Sequence, residues 1–296
     1  MDSKDIYEQV DKRYGSVRKT STGKYEQTVA KAFGYTEEEL AGIPEGANLG
    51  LSCGNPTVLA KLREGETVVD LGSGAGFDVL TAAKKVGPTG KSIGVDMNKN
   101  MIDKANANKA AMNISNVGFV EGTITSVPLD DTIADCIISN CVVNLVPASE
   151  KQLVFSEMFR LLKPGGRVAI SDILARKEFT DEIRSNIALY VGCISGASPV
   201  KDYEIFLENA GFKDVLIVDT KSDLNVYFTA HENELSCCEN GQTTSACGAG
   251  PSTCVPQNSS KELGNGQDIL GDRLGINDFN EWAGSFQVYA IKPLSS

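Results

Sequence analysis

One stretch restricts the fold of this chain more than any other: Val68-Val69-Asp70-Leu71-Gly72-Ser73-Gly74-Ala75-Gly76-Phe77-Asp78. An apolar run enters it, three glycines alternate with small residues, and a helix-compatible segment from Val79 to Lys85 leaves it. Glycines at that spacing let the backbone turn sharply and come close to a ligand, because no Cβ stands in the way. About twenty residues past the last glycine, Ile93-Gly94-Val95-Asp96 reads as a second short strand ending in a carboxylate, where both ribose hydroxyls of an adenosine ligand would find an acceptor.

The glycine pattern is G-x-G-x-G rather than the G-x-G-x-x-G of nicotinamide and flavin sites. A dinucleotide brings a pyrophosphate that seeks helix-terminal N–H groups. Asp70, at the end of the entering strand, would repel that anion and suits a ligand with an ammonium or a sulfonium. S-adenosylmethionine carries both. Glycines alone would also fit an ordinary α/β turn; Asp70 and Asp96 together turn the reading towards this cofactor.

The flanking chain alternates strand and helix. Strand Thr67–Leu71 precedes helix Val79–Lys85, and strand Ser92–Val95 precedes helix Lys99–Asn108. Strand Val117–Glu121 leads to Gly122-Thr123-Ile124, and strand Ala134–Ser139 leads to Asn140-Cys141-Val142-Val143. Helix Glu150–Leu162 ends at Lys163-Pro164-Gly165-Gly166, a stop-and-turn signal, ahead of strand Arg167–Ile173. Helix Asp202–Ala210, stopped by Gly211, precedes strand Val215–Asp219, and an antiparallel closing strand is expected at Phe286–Lys292. This order predicts an α/β fold with a doubly wound, mostly parallel seven-stranded sheet whose ligand crevice lies at the strand C-terminal ends. Residues 1–45 read as an N-terminal helical lid and 46–220 as the cofactor-binding core. An insertion after the fifth strand occupies 176–204, a long polar excursion 221–284, and the closing strand and C-terminus 285–296. Within the excursion, Asn233–Gly266 is rich in Ser, Thr, Gly, Asn and Cys, with little periodicity, and is expected to be largely unstructured. Tyr7, Tyr14, Tyr25 and Tyr35 fall in the N-terminal segment, where a lid role and ordinary packing both stay open.

A formal charge of −11 argues against a nucleic-acid groove, which needs clustered Lys and Arg. No window approaches about 18 uninterrupted apolar residues, so no membrane span is expected. The polar start Met1-Asp2-Ser3-Lys4-Asp5 does not read as a secretory signal. The eight cysteines are therefore expected as thiols in a reducing cytoplasm. The single histidine, His231, reads as a solvated loop residue and leaves almost nothing for a His-based triad or a His-rich metal site.

Cys53, Cys141 and Cys193 fall on loops flanked by Gly or Asn, where a reactive thiol would be placed, whereas Cys136 alternates within a strand and reads as inert core. Three thiolates on separate loops would make a soft site if they converged, and a thiophilic three-coordinate centre such as trivalent arsenic fits three sulfurs with its lone pair free. Without a C-x-x-C pair, structural zinc is poorly supported. Spacing leaves open that the three thiols are unrelated. Cys237, Cys238, Cys247 and Cys254 in the excursion fit either metalloid capture or a solvated tail.

The segments Asn48–Pro56, Val68–Gly76, Gly94–Met97, Ser139-Asn140-Cys141-Val142-Val143-Asn144-Leu145 and Asn280–Phe286 resemble the arsenite S-adenosylmethionine methyltransferases, members of the class I methyltransferase superfamily. The similarity runs from about residue 45 to 220, plus the final strand. The glycine motif is common to very many methyltransferases, and Ser139–Leu145 is the more specific stretch. The resemblance implies that Cys53, Cys141 and Cys193 hold As(III) as substrate. It also implies that Asp70, Gly72, Ser73, Gly74, Asp96, Met97, Thr123, Ile124 and Asn140 surround the cofactor. The expected reaction is methyl transfer from S-adenosylmethionine to arsenite or methylated arsenite, presented as a thiol conjugate, with a thiol reductant as co-substrate. Many members carry a further cysteine upstream that can pair with the Cys53 equivalent, whereas residues 1–52 hold none, which puts a relay through that partner in doubt. Two other readings stay open: methylation of a thiol, sterol or other small acceptor, and, of a different class, a thiol-rich protein that sequesters soft metals through Cys237–Cys254.

Overall fold

A computed structural model describes residues 2–17, 23–181, 196–227 and 278–294. The strands are β1 (Thr67–Leu71), β2 (Lys91–Asp96), β3 (Val117–Glu121), β4 (Ala134–Asn140), β5 (Leu162–Ala175), β6 (Lys213–Asp219) and β7 (Ala283–Ile291). They form one seven-stranded sheet in the order β3-β2-β1-β4-β5-β7-β6. β1 to β5 run parallel, and β7 inserts antiparallel between β5 and β6. The expected doubly wound architecture with an antiparallel closing strand is thus the observed one.

The helices of the core are α4 (Pro56–Ala60), α5 (Phe77–Val86), α6 (Lys99–Met112), α7 (Lys151–Leu161) and α8 (Val200–Ala210). Because successive strand residues face opposite sides, each apolar strand feeds two layers. Val69, Leu71, Ile137, Val168 and Ile170 share a core with Phe155 and Met158 of α7 and Tyr203 and Leu207 of α8. Val68, Cys136, Ile138 and Ala169 pack instead with Ala60 of α4 and Ala82 and Val86 of α5. Cys136 is the inert core cysteine its position predicts: fully buried, its thiol pushed up to about 12 by desolvation.

Most element ends lie within a few residues of the expectation, and two of the differences have a visible cause. α7 stops at Leu161, one residue before the expected Leu162, and Lys163-Pro164-Gly165-Gly166 does not form a separate turn; β5 already begins at Leu162. Gly165 takes a positive φ of 80°, and the β4–β5 register shifts between Ala134 and Cys136, so the chain bends there while still pairing with its neighbours. β7 starts at Ala283, ahead of the expected Phe286, because Arg176 N–H donates to the Trp282 carbonyl and continues the β5 contact.

Ahead of the core lie α1 (Ser3–Ser16), α2 (Lys24–Ala32) and α3 (Glu37–Ala41). α3 starts in a capping box, Thr36 Oγ1 accepting from Glu39 N–H while the Glu39 carboxylate accepts from Thr36 N–H. Among the described residues no helix is long and apolar enough to cross a membrane.

Candidate active site

The site grows out of the end of β1. Gly72, Gly74 and Gly76 all have positive φ (79°, 51° and 91°), a conformation that side chains with a Cβ rarely adopt. The turn is fastened to β2, since Gly72 and Ser73 N–H both donate to the Val95 carbonyl (2.8 and 3.0 Å) and Gly74 N–H donates to Asp96 Oδ2 (2.8 Å). A Cβ on Gly72 would collide with Val142, while one on Gly74 would meet nothing within 4 Å. The turn is therefore packed on one side and open on the other. Its open side faces a crevice of about 1090 Å³ of empty space, mouth included.

Asp70, Gly72, Ser73, Gly74, Asp96, Met97, Thr123, Ile124 and Asn140 all border that one crevice, as does Cys141. Asp70 is buried, and its Oδ1 has no hydrogen-bond partner among the described residues; the same holds for Ser73 Oγ. Burial, and then the neighbouring Asp78 and Asp96, push the Asp70 carboxyl well above the ordinary carboxylate range. Asp78 is also raised by burial, although the Tyr35 hydroxyl and Asn140 amide work against it. Asp96 rises for the same reason, opposed by N–H donors from Asn98 and Gly74. Two buried carboxyls, Asp70 and Asp78, and the half-buried Asp96 border a cavity with an orphaned acceptor, an arrangement suited to a cation with polar arms. S-adenosylmethionine carries such a charge and such arms, and Asp70 and the clamped Asp96 are the groups that would hold it.

α1 closes the crevice from above, contributing Tyr7, Val10, Asp11 and Tyr14 to its wall. Tyr7 Oη donates to Glu150 Oε2 (2.8 Å), and Asn98 Nδ2 donates to Asp11 Oδ1 (2.7 Å). Burial and the Glu150 carboxylate together push the Tyr7 hydroxyl up to about 12. Of the four tyrosines whose role the sequence left open, Tyr7 and Tyr14 thus border the cavity, whereas Tyr25 packs with the cluster around Cys53. Tyr35 is fully buried and donates to Asp78 Oδ1 (2.6 Å).

Of the two described loop cysteines, Cys141 borders the crevice and Cys53 lies beside it. Cys141 follows β4 directly and has φ of +59°, a strained value for a residue with a Cβ, held there by its N–H donating to the Ser171 carbonyl (2.8 Å). Cys53 sits in the loop before α4. Gly54 lets that loop press onto β5, for a Cβ there would lie 2.6 Å from the Ser171 side chain. Asn55 then caps α4 through Thr57 and Val58 N–H. Cys53 N–H donates to Asn140 Oδ1 (3.1 Å), its thiol lies 3.6 Å from the same oxygen, and Ser285 Oγ of β7 donates to its carbonyl (2.6 Å). Asn140 ties this end to the cofactor side, because its Nδ2 donates to the Gly54 carbonyl (2.9 Å) and Asp78 Oδ2 (3.0 Å). The Cys53 and Cys141 sulfurs and one Asp172 carboxylate oxygen all lie within 4.8 Å of one another, all three residues buried. Cys193, His231, Cys237, Cys238, Cys247, Cys254 and the segment Asn233–Gly266 lie outside the described residues.

Sequence reasoning missed three parts of this arrangement. Asp78 carried a usable signal, a carboxylate just past the last glycine of the turn. Asp172 carried another, since with Ser171 it interrupts the apolar run Val168–Leu174. Its Oδ1 accepts from Asn144 Nδ2 (2.8 Å) and Ile173 N–H (2.9 Å), and its Oδ2 from Tyr203 Oη (2.8 Å). Burial raises its carboxyl to about 6, with the Tyr203 bond and the Lys151 ammonium acting against that rise. Lys151 itself carried no signal: at the first turn of an amphipathic helix it reads as solvent-facing, yet it is buried, donating to Ser198 Oγ (2.8 Å) and Asn144 Oδ1 (3.3 Å).

Residues 62–217 match a family profile described as a methyltransferase domain. The chain is 47% identical over 192 residues to the arsenite methyltransferase of Halobacterium salinarum, covering 65% of this chain and 49% of that one. It is 32% identical over 240 residues to the arsenite methyltransferase of Mus musculus, covering 74% and 63%. The chain thus spans between about half and just under two thirds of the length of these curated relatives. Among solved structures, an arsenic(III) S-adenosylmethionine methyltransferase from Chlamydomonas reinhardtii matches with a TM-score of 0.57 at 25% identity, over 91% of this chain and 74% of that chain. Phosphoethanolamine N-methyltransferase 2 of Haemonchus contortus, in complex with S-adenosyl-L-methionine, shares the fold at a TM-score of 0.59 and 16% identity, over 90% and 56%.

Proposed function

Because the chain belongs to the methyltransferase-domain family, we propose that it moves a methyl group from S-adenosylmethionine to trivalent arsenic held on cysteine thiolates. The observation that carries this reading is the approach of the Cys53 and Cys141 sulfurs to within 4.8 Å, with Cys141 bordering the crevice where Asp70 Oδ1 has no hydrogen-bond partner among the described residues. Two sulfurs at that separation suit one soft acceptor, and Cys193 is the third ligand in this reading.

The cofactor, when bound, supplies an electrophilic methyl carbon on a sulfonium. Asp70 offsets the positive charge, Asp96 takes the ribose hydroxyls, and Met97, Thr123 and Ile124 form the wall against the base. Asn140 holds Cys53 from one side and borders the cofactor crevice on the other, so it fixes the separation of donor and acceptor. An arsenic lone pair is already nucleophilic, and no proton has to leave the attacking atom. Catalysis then rests on aligning lone pair, methyl carbon and leaving sulfur, which by itself is worth several powers of ten in rate. Arsenite arrives as a thiol conjugate and exchanges onto the protein thiolates, and a thiol reductant restores the site. Such thiols suit a reducing compartment, which supports a cytoplasmic location, and methylation of arsenic supports a role in its detoxification.

Incubation of the full chain with methyl-labelled S-adenosylmethionine, arsenite and a thiol reductant is expected to put label on arsenic. Cys141→Ser and Cys53→Ser are expected to keep cofactor affinity and to lose label transfer by about a hundredfold or more. Label transfer that survives the double substitution overturns the reading.

A further inference from the structure

The geometry points to Asp172 as an electrostatic partner of the acceptor: its carboxylate stands beside the two sulfurs to stabilise the positive charge that arrives on arsenic during methyl transfer. This inference rests on the function proposed above.

The charge balance of the step carries it. The arsenic lone pair forms the new As–C bond, and the C–S bond of the sulfonium breaks with its electron pair left on sulfur. Sulfur becomes a neutral thioether, and a neutral trithiolate arsenic becomes a cationic methylarsonium centre. No proton moves, and the unit of positive charge passes from the Asp70 end of the crevice to the cysteine end. A group preorganised where charge develops lowers the barrier without having to reorient during the step.

Asp172 meets that description. Its oxygen lies within 4.8 Å of both sulfurs that would bracket the arsenic, so a centre bound between them would be in its immediate neighbourhood. It is fully buried, where charge interactions are screened far less than in water. Ile173 N–H, Asn144 Nδ2 and Tyr203 Oη hold it rigid at 2.9, 2.8 and 2.8 Å, and the Val143 N–H also donates to it. All of these donors favour the anion. Lys151, the buried cation of this network, reaches Asp172 through the intervening Asn144 side chain, to whose Oδ1 it donates.

Asp172→Asn separates charge from shape. The amide oxygen can keep the Ile173 and Asn144 bonds, and its NH₂ can donate to Tyr203 Oη, so the shape and most of the bonds stay while the charge goes. With arsenic preloaded and the cofactor saturating, the single-turnover rate of methyl transfer is expected to fall by about 10- to 100-fold. Arsenic and cofactor dissociation constants are expected to stay within about threefold, the split a transition-state effect demands. Tyr203→Phe, which keeps the charge and removes one donor, is expected to cost less than about fivefold in the same rate. If Asp172→Asn does not fold, Asp172→Ser is read by the same criteria. An unchanged single-turnover rate, or a loss that follows arsenic affinity, or a Tyr203→Phe enzyme as slow as Asp172→Asn, overturns the inference. Wild-type protein that puts no label on arsenic refutes the proposed function instead, so the two failures are distinguishable.

Discussion

Asp70 shows how a single residue can serve the site at the expense of the empty fold. It is a buried carboxylate with an oxygen that no described group contacts, and two further carboxyls stand beside it. Asp70→Asn removes the charge and keeps the shape, so the ligand-free protein is expected to gain about 1–3 kcal/mol at neutral pH, the usual penalty of an uncompensated buried polar group. The sign follows from proton linkage. Its carboxyl titrates higher folded than unfolded, so the native state holds the extra proton and stability falls as pH rises from about 3.9 to the raised folded value. The advantage of Asn therefore opens across that window and vanishes in acid. Urea melts of both proteins at a series of pH values check this, and the same variant should bind S-adenosylmethionine at least about tenfold more weakly by calorimetry. A less stable Asp70→Asn protein at neutral pH would count against a carboxylate held in reserve for a cation. Asp70 was legible in the sequence because its role depends on neighbours close along the chain. The left-handed Cys141 was not, because its strained φ goes with the hydrogen bond its N–H gives to the Ser171 carbonyl on the adjacent strand.

Among the elements, α1 covers the site from outside the sheet, against residues of β5 and β7. It covers the crevice with Tyr7, Val10 and Asp11, and its inner residues Ile6 and Val10 share an apolar cluster with Cys53 and Cys141. Its attachments are few: Tyr7 to Glu150, Asn98 to Asp11, and Lys104 Nζ to the Val17 carbonyl (2.6 Å). Deleting residues 1–17 is expected to leave the sheet intact by circular dichroism and to weaken cofactor binding by about tenfold or more, since the ligand then stays partly wet. The same deletion should open the two buried thiols, so alkylation of Cys141, followed by mass spectrometry, is expected to accelerate clearly. Unchanged alkylation would mean that α1 does not seal this end. The strands of the core were readable within a few residues because each is a short apolar run bounded by turn chemistry. β5 was longer than read because Pro and two glycines announce a turn locally, and only pairing with β4 and β7 shows that the chain stays in the sheet.

Across the whole molecule, the sheet order places β1 beside β4 at the centre, and the site opens where their C-terminal ends part. That topology brings Asp70, Asn140 and Asp172 from three neighbouring strands to one edge, and the loop before α4 carries Cys53 to the same place. Sequence separation hides such convergence: Cys53, Cys141 and Asp172 are far apart along the chain and meet only because β1, β4 and β5 are adjacent. The same topology gathers Asp70, Asp78 and Asp96 around one cavity, and with them a pH dependence. In the free protein the Asp70–Asp78 pair is held above the ordinary carboxylate range, so part of it remains protonated where isolated carboxyls would not. A cation seated against Asp70 favours its ionised form, so the complex binds fewer protons than the free protein. Affinity for S-adenosylmethionine is thus expected to rise with pH through the window between the ordinary and the raised carboxyl values, by at most about tenfold per pH unit for each proton released. Calorimetric titrations in two buffers of different ionisation enthalpy should register that proton release, and Asp70→Asn should abolish most of it. At a hundredfold excess of ligand over its dissociation constant, binding adds about 2.7 kcal/mol, so the melting temperature should climb by roughly 5–10 °C. That rise should shrink on acidification, because protonated carboxyls no longer reward the incoming charge. A melting shift independent of pH, with no proton released, would show that the cofactor's positive charge is balanced somewhere other than at this carboxyl cluster.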